Sequence, residues 1–302
     1  MGSWSIACQV SLAKAAPQGA ALVFFGTRQV LPFCPVPNIP ALAFGIALGS
    51  RKPTLEAFMF SYAIGDIHGH LDLLQRAHDL IHADQAVAGP APVVHVGDLV
   101  DRGPDSAGVV EYLRAGVASG QDWVVLKGNH DRLLTRFLED PTWHDPGLNP
   151  EMAYLHPKIG GAFTLASYGV RNAANRPLIP VHAEAVAAVP LSHREFLASR
   201  PVMFRWGEVV FVHAGQRPGV GFEDQTEQDM VWIRGAFLTD RRDYGALVTH
   251  GHTAIDRARH YGNRLNLDSG AAYGGPLSAV VIEGREAWLL TDKGRVAVTL
   301  EA

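Results

Sequence analysis

The sequence predicts an α/β protein with a metal site at the carboxyl edge of its sheet. Three observations carry this. Apolar runs at 60–66, 93–97 and 123–127 alternate with segments of helical spacing, the pattern of strand–helix–strand units. Each run passes into a glycine and then delivers side chains of metal-ligand type: Gly65-Asp66-Ile67-His68-Gly69, Gly97-Asp98, and Gly128-Asn129-His130-Asp131. Two later strand-like runs end the same way, in His213-Ala214-Gly215 and His250-Gly251-His252-Thr253.

In chain order, 60–66 reads as a strand. Leu71, Leu74, Ala77, His78 and Ile81 recur at helical spacing, so an amphipathic helix is expected over 69–83. Pro90 and Pro92 bracket the entry to the next strand, 93–97, whose residues do not alternate in polarity, as expected when both faces are covered. Pro104 suits the first turn of a helix reaching about 118. A third strand at 123–127 leads into a helix over 130–138. From 139 to 205, repeated proline and glycine break the pattern into loops and short helices, with 162–168 and 183–188 as helix candidates. This stretch is expected to form a cap-like insertion carrying specificity. Strands resume at 208–212 and 246–249. Alternating runs at 264–268, 278–283, 286–291 and 295–299, with turns at Gly274-Gly275, Glu283-Gly284 and Lys293-Gly294, suit a β meander.

Residues 1–58 differ: few charges, prolines at Pro32, Pro35, Pro37, Pro40 and Pro53, and no sustained period. Met59 directly precedes the first strand. The expectation is an unstructured or mis-assigned extension, with translation starting at Met59 and residues 59–302 forming a single catalytic domain. N-terminal sequencing from the native host tests this, and an intact residue 1 or 2 would refute it.

The hydrophobic fraction of 47% and charged fraction of 19% suit a soluble globular protein. A net charge of −4 gives no basic footprint for nucleic acid. No apolar stretch has the length of a membrane span. Cys8 and Cys34 form neither a disulfide framework nor a Cys-x-x-Cys pair, consistent with inert thiols in a reducing cytosol. A cytoplasmic monomer without nucleic-acid or membrane partners is therefore expected.

Ligands bind at the carboxyl ends of strands in open α/β sheets. Five strand ends here offer Asp66 and His68, Asp98, Asn129, His213 and His252. One carboxylate shared between two ions, with oxygen and nitrogen ligands around them, is the design of a two-metal hydrolase. Mixed His, Asp and Asn donors suit two divalent ions, Mn first, with Fe or Zn as alternatives. The lack of cysteine ligands argues against structural zinc.

These motifs, together with Gly97-Asp98-Leu99-Val100-Asp101-Arg102-Gly103, resemble the signature of the phosphoprotein phosphatase family of calcineurin-like metallophosphoesterases over about 60–275. The run 160–169 and Trp232-Ile233-Arg234 resemble its bacterial branch. The resemblance implies two packed mixed sheets flanked by helices, in four α/β/β/α layers. It implies that Asp66 and His68 hold one metal, that Asp98 bridges, and that Asn129, His213 and His252 hold the second. His130 would be the general acid, oriented by Asp101. Arg102 and Arg234 would hold phosphate, with Arg217 the second candidate. A metal-bridging hydroxide would attack phosphorus directly. The implied activity is a serine/threonine protein phosphatase, extending to phosphotyrosine, acting on a phosphorylated protein or peptide. One alternative is a diadenosine tetraphosphate hydrolase. Those resemble Gly-His-Trp at the last motif, whereas Thr253 stands here. Another, from a different class, is a catalytically silent metal-binding scaffold.

Overall fold

A computed structural model describes residues 59–301. The expectations for residues 1–58, including the two cysteines, lie outside the described residues.

The first half follows the alternation read from the sequence. Strand β1 (Phe60–Ile64) leads through a turn to α1 (Leu71–Ala88), which buries Leu74, Ala77, His78 and Ile81 along one face. Strand β2 (Val93–His95) leads to α2 (Ser106–Ala118), and β3 (Trp123–Val125) to α3 (Asn129–Glu139). Helix α2 begins two residues after Pro104, because the Asp105 side chain caps it by accepting the Gly108 amide at 2.8 Å.

The middle holds α4 (Gly161–Ser167), α5 (Leu178–Ala188) and α6 (Leu191–Ala198). Helix α4 packs on α2, α5 on α3 and α6 on both, and all share their apolar core. The second half comprises β4 (Met203–Trp206), β5 (Val209–Val212), α7 (Glu227–Trp232), α8 (Gly235–Leu238), β6 (Leu247–His250), β7 (Arg259–His260) and β8 (Arg264–Asn266). It ends in the meander β9 (Ala279–Glu283), β10 (Glu286–Thr291) and β11 (Gly294–Ala297).

Two mixed sheets result. One has the order β11-β10-β9-β1-β2-β3, the other β4-β5-β6-β8-β7. Each contains three adjacent parallel strands, β1, β2, β3 and β5, β6, β8. The sheets face each other across a core that includes Ala63, Val94, Val96 and Ile282 from the first and Phe211, Leu247, Leu265 and Leu267 from the second. Burying each large side chain there contributes roughly 1.5–3 kcal/mol. Helices α1–α6 cover the outer face of the first sheet. Helices α7 and α8 cover the second, where Met230 and Phe237 meet Val210, Val212 and Val248. The four α/β/β/α layers are thus present.

The structure departs from expectation at β8. The run 264–268 does not join the meander but pairs parallel to β6 in the other sheet. Alternation sets which faces a strand buries and leaves its partner open. Elements β4, β7, α6, α7 and α8 were not expected. They span two to eight residues, too few for a period to register. Strand β4 also takes the end of the 139–205 stretch into the second sheet.

Candidate metal centre

The two parallel triplets converge on one site. Strands β1, β2 and β3 lead to Asp66 and His68, Asp98, and Asn129 and His130. Strands β5, β6 and β8 lead to His213, His252 and Asp268. All these residues are buried. Five of the six described non-glycine residues with positive φ belong to the site: His68, Asp98, Asp101, Arg102 and His252. Such conformations cost about 1–3 kcal/mol each and persist only where neighbours enforce them. Close backbone approach is one enforcing feature. A side chain at Gly128 would collide with the Asp98 amide and carboxylate, so glycine there lets two ligand loops touch. The Asp131 carboxylate clamps the same loops, accepting the Leu99 amide at 2.9 Å and the Gly128 amide at 2.8 Å.

Two clusters of potential ligands share Asp98. One is His68, Asp98 and His130; the other is Asp98, His213 and His252. Asp98 Oδ2 lies 3.4 Å from His68 Nε2, and its Oδ1 lies 3.3 Å from His213 Nε2. Asn129 Oδ1 faces His213 Nε2 at 2.9 Å and His252 Nδ1 at 2.8 Å. Asp66 falls in neither cluster. Its Oδ2 accepts the His252 amide at 2.9 Å, and its buried Oδ1 has no partner. His252 Nε2 is likewise buried and unpartnered.

Electrostatics point the same way. Burial and neighbouring Asp268 raise the Asp66 pKa well above the usual carboxylate range. Asp98 is held well below that range in spite of burial, by His213, His130 and His68. Burial would lower His213, yet Asp98 and Asp66 lift it to about 9. Burial pushes His68 and His252 well down, leaving neutral rings, and the Nε2 lone pair of His252 is without a partner. Packed carboxylates, neutral imidazoles and orphaned donor atoms form a set that divalent cations satisfy. The residues therefore fit metal ions held by oxygen and nitrogen.

The other anticipated residues also assemble. His130 Nδ1 lies 2.7 Å from Asp101 Oδ2. The Arg102 guanidinium donates to His68 Nε2 at 2.8 Å and to His130 Nε2 at 2.9 Å, so it occupies a lone pair that a metal at His68 would take. A polar pocket of about 160 Å³ is lined by Asp98, Arg102, Asn129, His130, Arg234 and His252, joined by Thr253, Ala254, Asp268 and Tyr273. Arg217 is not among its lining residues and instead pairs with Asp229 at 2.6 Å. Buried His250 hydrogen-bonds through Nδ1 to the Gly251 carbonyl, beside the ligand loop.

Four residues at the site were not singled out from the sequence: Asp268, Tyr273, Tyr154 and Thr164. Asp268 follows β8 as Asp66 follows β1, and the strand-end rule would have found it had 264–268 been separated from the meander. Tyr273 sits exposed on a short 3-10 turn at the pocket rim, with the Arg102 guanidinium 5.3 Å from its ring centre. Tyr154 comes from the irregular middle without a local signal, and Thr164 lies in the 160–169 run, which stands out for its resemblance and not for this residue.

This fold and this cluster define a metal-dependent phosphoesterase. The profile of the Calcineurin-like phosphoesterase family matches residues 62–281, and the chain belongs to that family. Among curated relatives, it is 27% identical over 242 residues to the bis(5'-nucleosyl)-tetraphosphatase PrpE [asymmetrical] of Bacillus thuringiensis (strain Al Hakam), covering 72% of this chain and 88% of that protein. The protein of the same name from Geobacillus thermodenitrificans (strain NG80-2) is 28% identical over 246 residues, with the same coverage. Among solved structures, a putative diadenosine tetraphosphatase superposes with a TM-score of 0.52 at 22% identity, over 82% of this chain and 96% of that one. A cold-active protein-tyrosine phosphatase of a psychrophilic Shewanella gives 0.53 at 16% identity, over 80% and 81%. These two likenesses speak for the fold alone.

Proposed function

We propose that the chain hydrolyses a phosphoanhydride of a dinucleoside tetraphosphate, with residues 59–302 as its catalytic domain. The observation carrying this over the phosphoprotein reading is the alignment to proteins named bis(5'-nucleosyl)-tetraphosphatase along 88% of their length. The names of those relatives favour the tetraphosphatase over the protein phosphatase suggested by Thr253. The pocket is compatible with the tetraphosphatase. A volume of about 160 Å³ admits a phosphoryl group but no whole nucleotide, since sites enclosing drug-sized ligands run to about 300–1,000 Å³. The remainder of a dinucleotide lies outside, where exposed Tyr273 offers a face for a base.

In this reading Asp66, His68 and Asp98 hold one divalent ion, and Asp98, Asn129, His213 and His252 hold the other, with Mn first and Fe or Zn as alternatives. Bound there, the ions supply Lewis acidity, making a water acidic near neutral pH and offsetting phosphate charge. Arg102 and Arg234 hold the equatorial oxygens, a task suited to a guanidinium fork. When Arg102 turns from His130 Nε2 to the phosphate, that nitrogen is free to carry the proton it gives to the departing oxygen, and Asp101 supports the ring through Nδ1.

One observation favours a second reading, a phosphomonoesterase acting on phosphoserine, phosphothreonine or phosphotyrosine in proteins. The His130–Asp101 pair is of most use for a strongly basic leaving alkoxide, whereas a departing phosphate is a weak base. The test is metal-reconstituted enzyme assayed in parallel on diadenosine tetraphosphate and on the three phosphopeptides. Preference for the dinucleotide supports the first reading; preference for a peptide overturns it.

A further inference from the structure

We propose that Tyr154 and Thr164, delivered by the segment between α3 and α6, are positioning residues for the His130 proton donor. Asp101 is fully buried, and each of its oxygens has a task. Oδ2 faces His130 Nδ1 at 2.7 Å. Oδ1 accepts the Tyr154 hydroxyl at 2.9 Å and the Thr164 hydroxyl at 2.7 Å. The Asp101 amide in turn donates to Thr164 Oγ1 at 2.8 Å and to Ser106 Oγ at 3.1 Å. Asp101 itself stands at φ 72°, a conformation it would not keep unaided. The Tyr154 and Thr164 hydroxyls therefore fix the free carboxylate oxygen, and Thr164 with Ser106 fixes the backbone amide, of the residue that aims the imidazole.

The local sequence is shaped to this end. Gly161 opens α4 against the Tyr154 ring, where any side chain would collide with it. The Gly160 carbonyl accepts the Arg102 amide at 3.4 Å, and Thr164 follows on the next turn. Burial, with the Asp101 carboxylate adding, raises the Tyr154 phenol well above its ordinary pKa, so it stays a donor. The run 160–169 thus has a physical task, closing the proton-donating pair from the cap side.

During hydrolysis a water oxygen bonds to phosphorus, keeping one proton in the product P–OH and releasing the other to solvent, while the bond to the leaving oxygen breaks and the Nε2 proton passes to that oxygen. The imidazolium becomes neutral imidazole and keeps its Nδ1 proton toward Asp101. The inference rests on His130 as the acid and is independent of whether an anhydride or a monoester is the natural substrate.

The experiment measures kcat of the metal-loaded enzyme on aryl phosphates from 2,4-dinitrophenyl to phenyl phosphate. Only a basic leaving group needs the proton. Tyr154→Phe and Thr164→Val should each lose about tenfold on phenyl phosphate, part of the ~10²–10⁴ a general acid supplies. On 2,4-dinitrophenyl phosphate they should lose almost nothing, with KM and metal content unchanged. Thr164→Ser, which keeps the hydroxyl, should behave as wild type. In a His130→Asn background Tyr154→Phe should add no further loss. Equal losses across the series, or additive losses with His130→Asn, would overturn the proposal. A His130→Asn enzyme with wild-type leaving-group dependence would instead overturn the acid role beneath it.

Discussion

Asp98 and His213 meet at 3.3 Å inside the molecule, while the other oxygen of the same carboxylate lies 3.4 Å from His68 on the opposite side. One carboxylate thus addresses both ligand clusters. Asp98→Asn keeps the shape but loses the charge that draws two cations together. The variant is expected to lose bound metal, read by elemental analysis after reconstitution. Full occupancy of both sites would refute the bridging role. Because ions bind the folded state alone, chelation should also lower the melting temperature of wild type more than that of the variant.

His130 stands beside the metal ligands but is tied through Nδ1 to Asp101. His130→Asn should therefore cut kcat on basic leaving groups by about 10²–10⁴. Metal content should stay near that of wild type. His130 also falls in one geometric ligand cluster, so metal loss in this variant would reassign it as a ligand.

Arg234 and Arg217 were the two candidates for the second phosphate arginine, and they occupy different environments. Arg234 lines the pocket and donates to the His252 carbonyl at 3.3 Å, whereas Arg217 lies outside it and is satisfied by Asp229. A charged hydrogen bond contributes about 1.5–3 kcal/mol. Arg234→Ala should then lower kcat/KM roughly 10- to 150-fold by the same principle. Arg217→Ala should leave it within about twofold, since exposed pairs contribute about 0–1 kcal/mol. The reverse ranking would move the phosphate contact to Arg217.

The motif residues were legible because the chemistry is local. A ligand loop needs a strand end, a glycine for close approach and a donor within three residues, and all appear consecutively at 65–69 and 128–131. Asp268 was obscured because β8 alternates as the meander strands do, and only pairing assigns it to the second sheet. Tyr154 and Thr164 were hidden for a different reason. They act on Asp101 from 53 and 63 residues away, and a single hydroxyl, in the loop at Tyr154 or on α4 at Thr164, carries no mark of its distant partner. The layers themselves followed from the resemblance, not from periodicity.

Tyr273 separates the two functional readings. Its ring is exposed at the rim, between glycines that hold the turn with positive φ. Base stacking on an aromatic ring contributes about 1–3 kcal/mol. If the dinucleotide reading holds, Tyr273→Ala should lower kcat/KM on diadenosine tetraphosphate by roughly 5- to 150-fold. Phenylalanine should restore it, and phenyl phosphate should respond little. Equal loss on both substrates would mean that Tyr273 serves the phosphate site, through Arg102, and not a base.

His78 and His95 form a buried pair behind the site, with Nε2 atoms 3.1 Å apart between α1 and β2. One ring must donate and the other accept, so the contact requires a neutral partner. Burial, with His95 and His82 adding, pushes His78 down to about 2, and burial pushes His95 down to about 4. In the unfolded chain both would titrate near pH 6.5, by the usual reference of about 6.5. Below that pH the unfolded state binds more protons than the folded one. The pair's contribution is therefore intact above pH 6.5 and falls as pH drops through about 4 toward 2. Urea unfolding of the metal-free protein between pH 7 and 4.5 should show this slope. A His78→Gln/His95→Gln variant should be less stable at pH 7, where it loses a packed pair, yet show a shallower decline. An unchanged slope would assign the acid sensitivity to the buried carboxylates of the metal site.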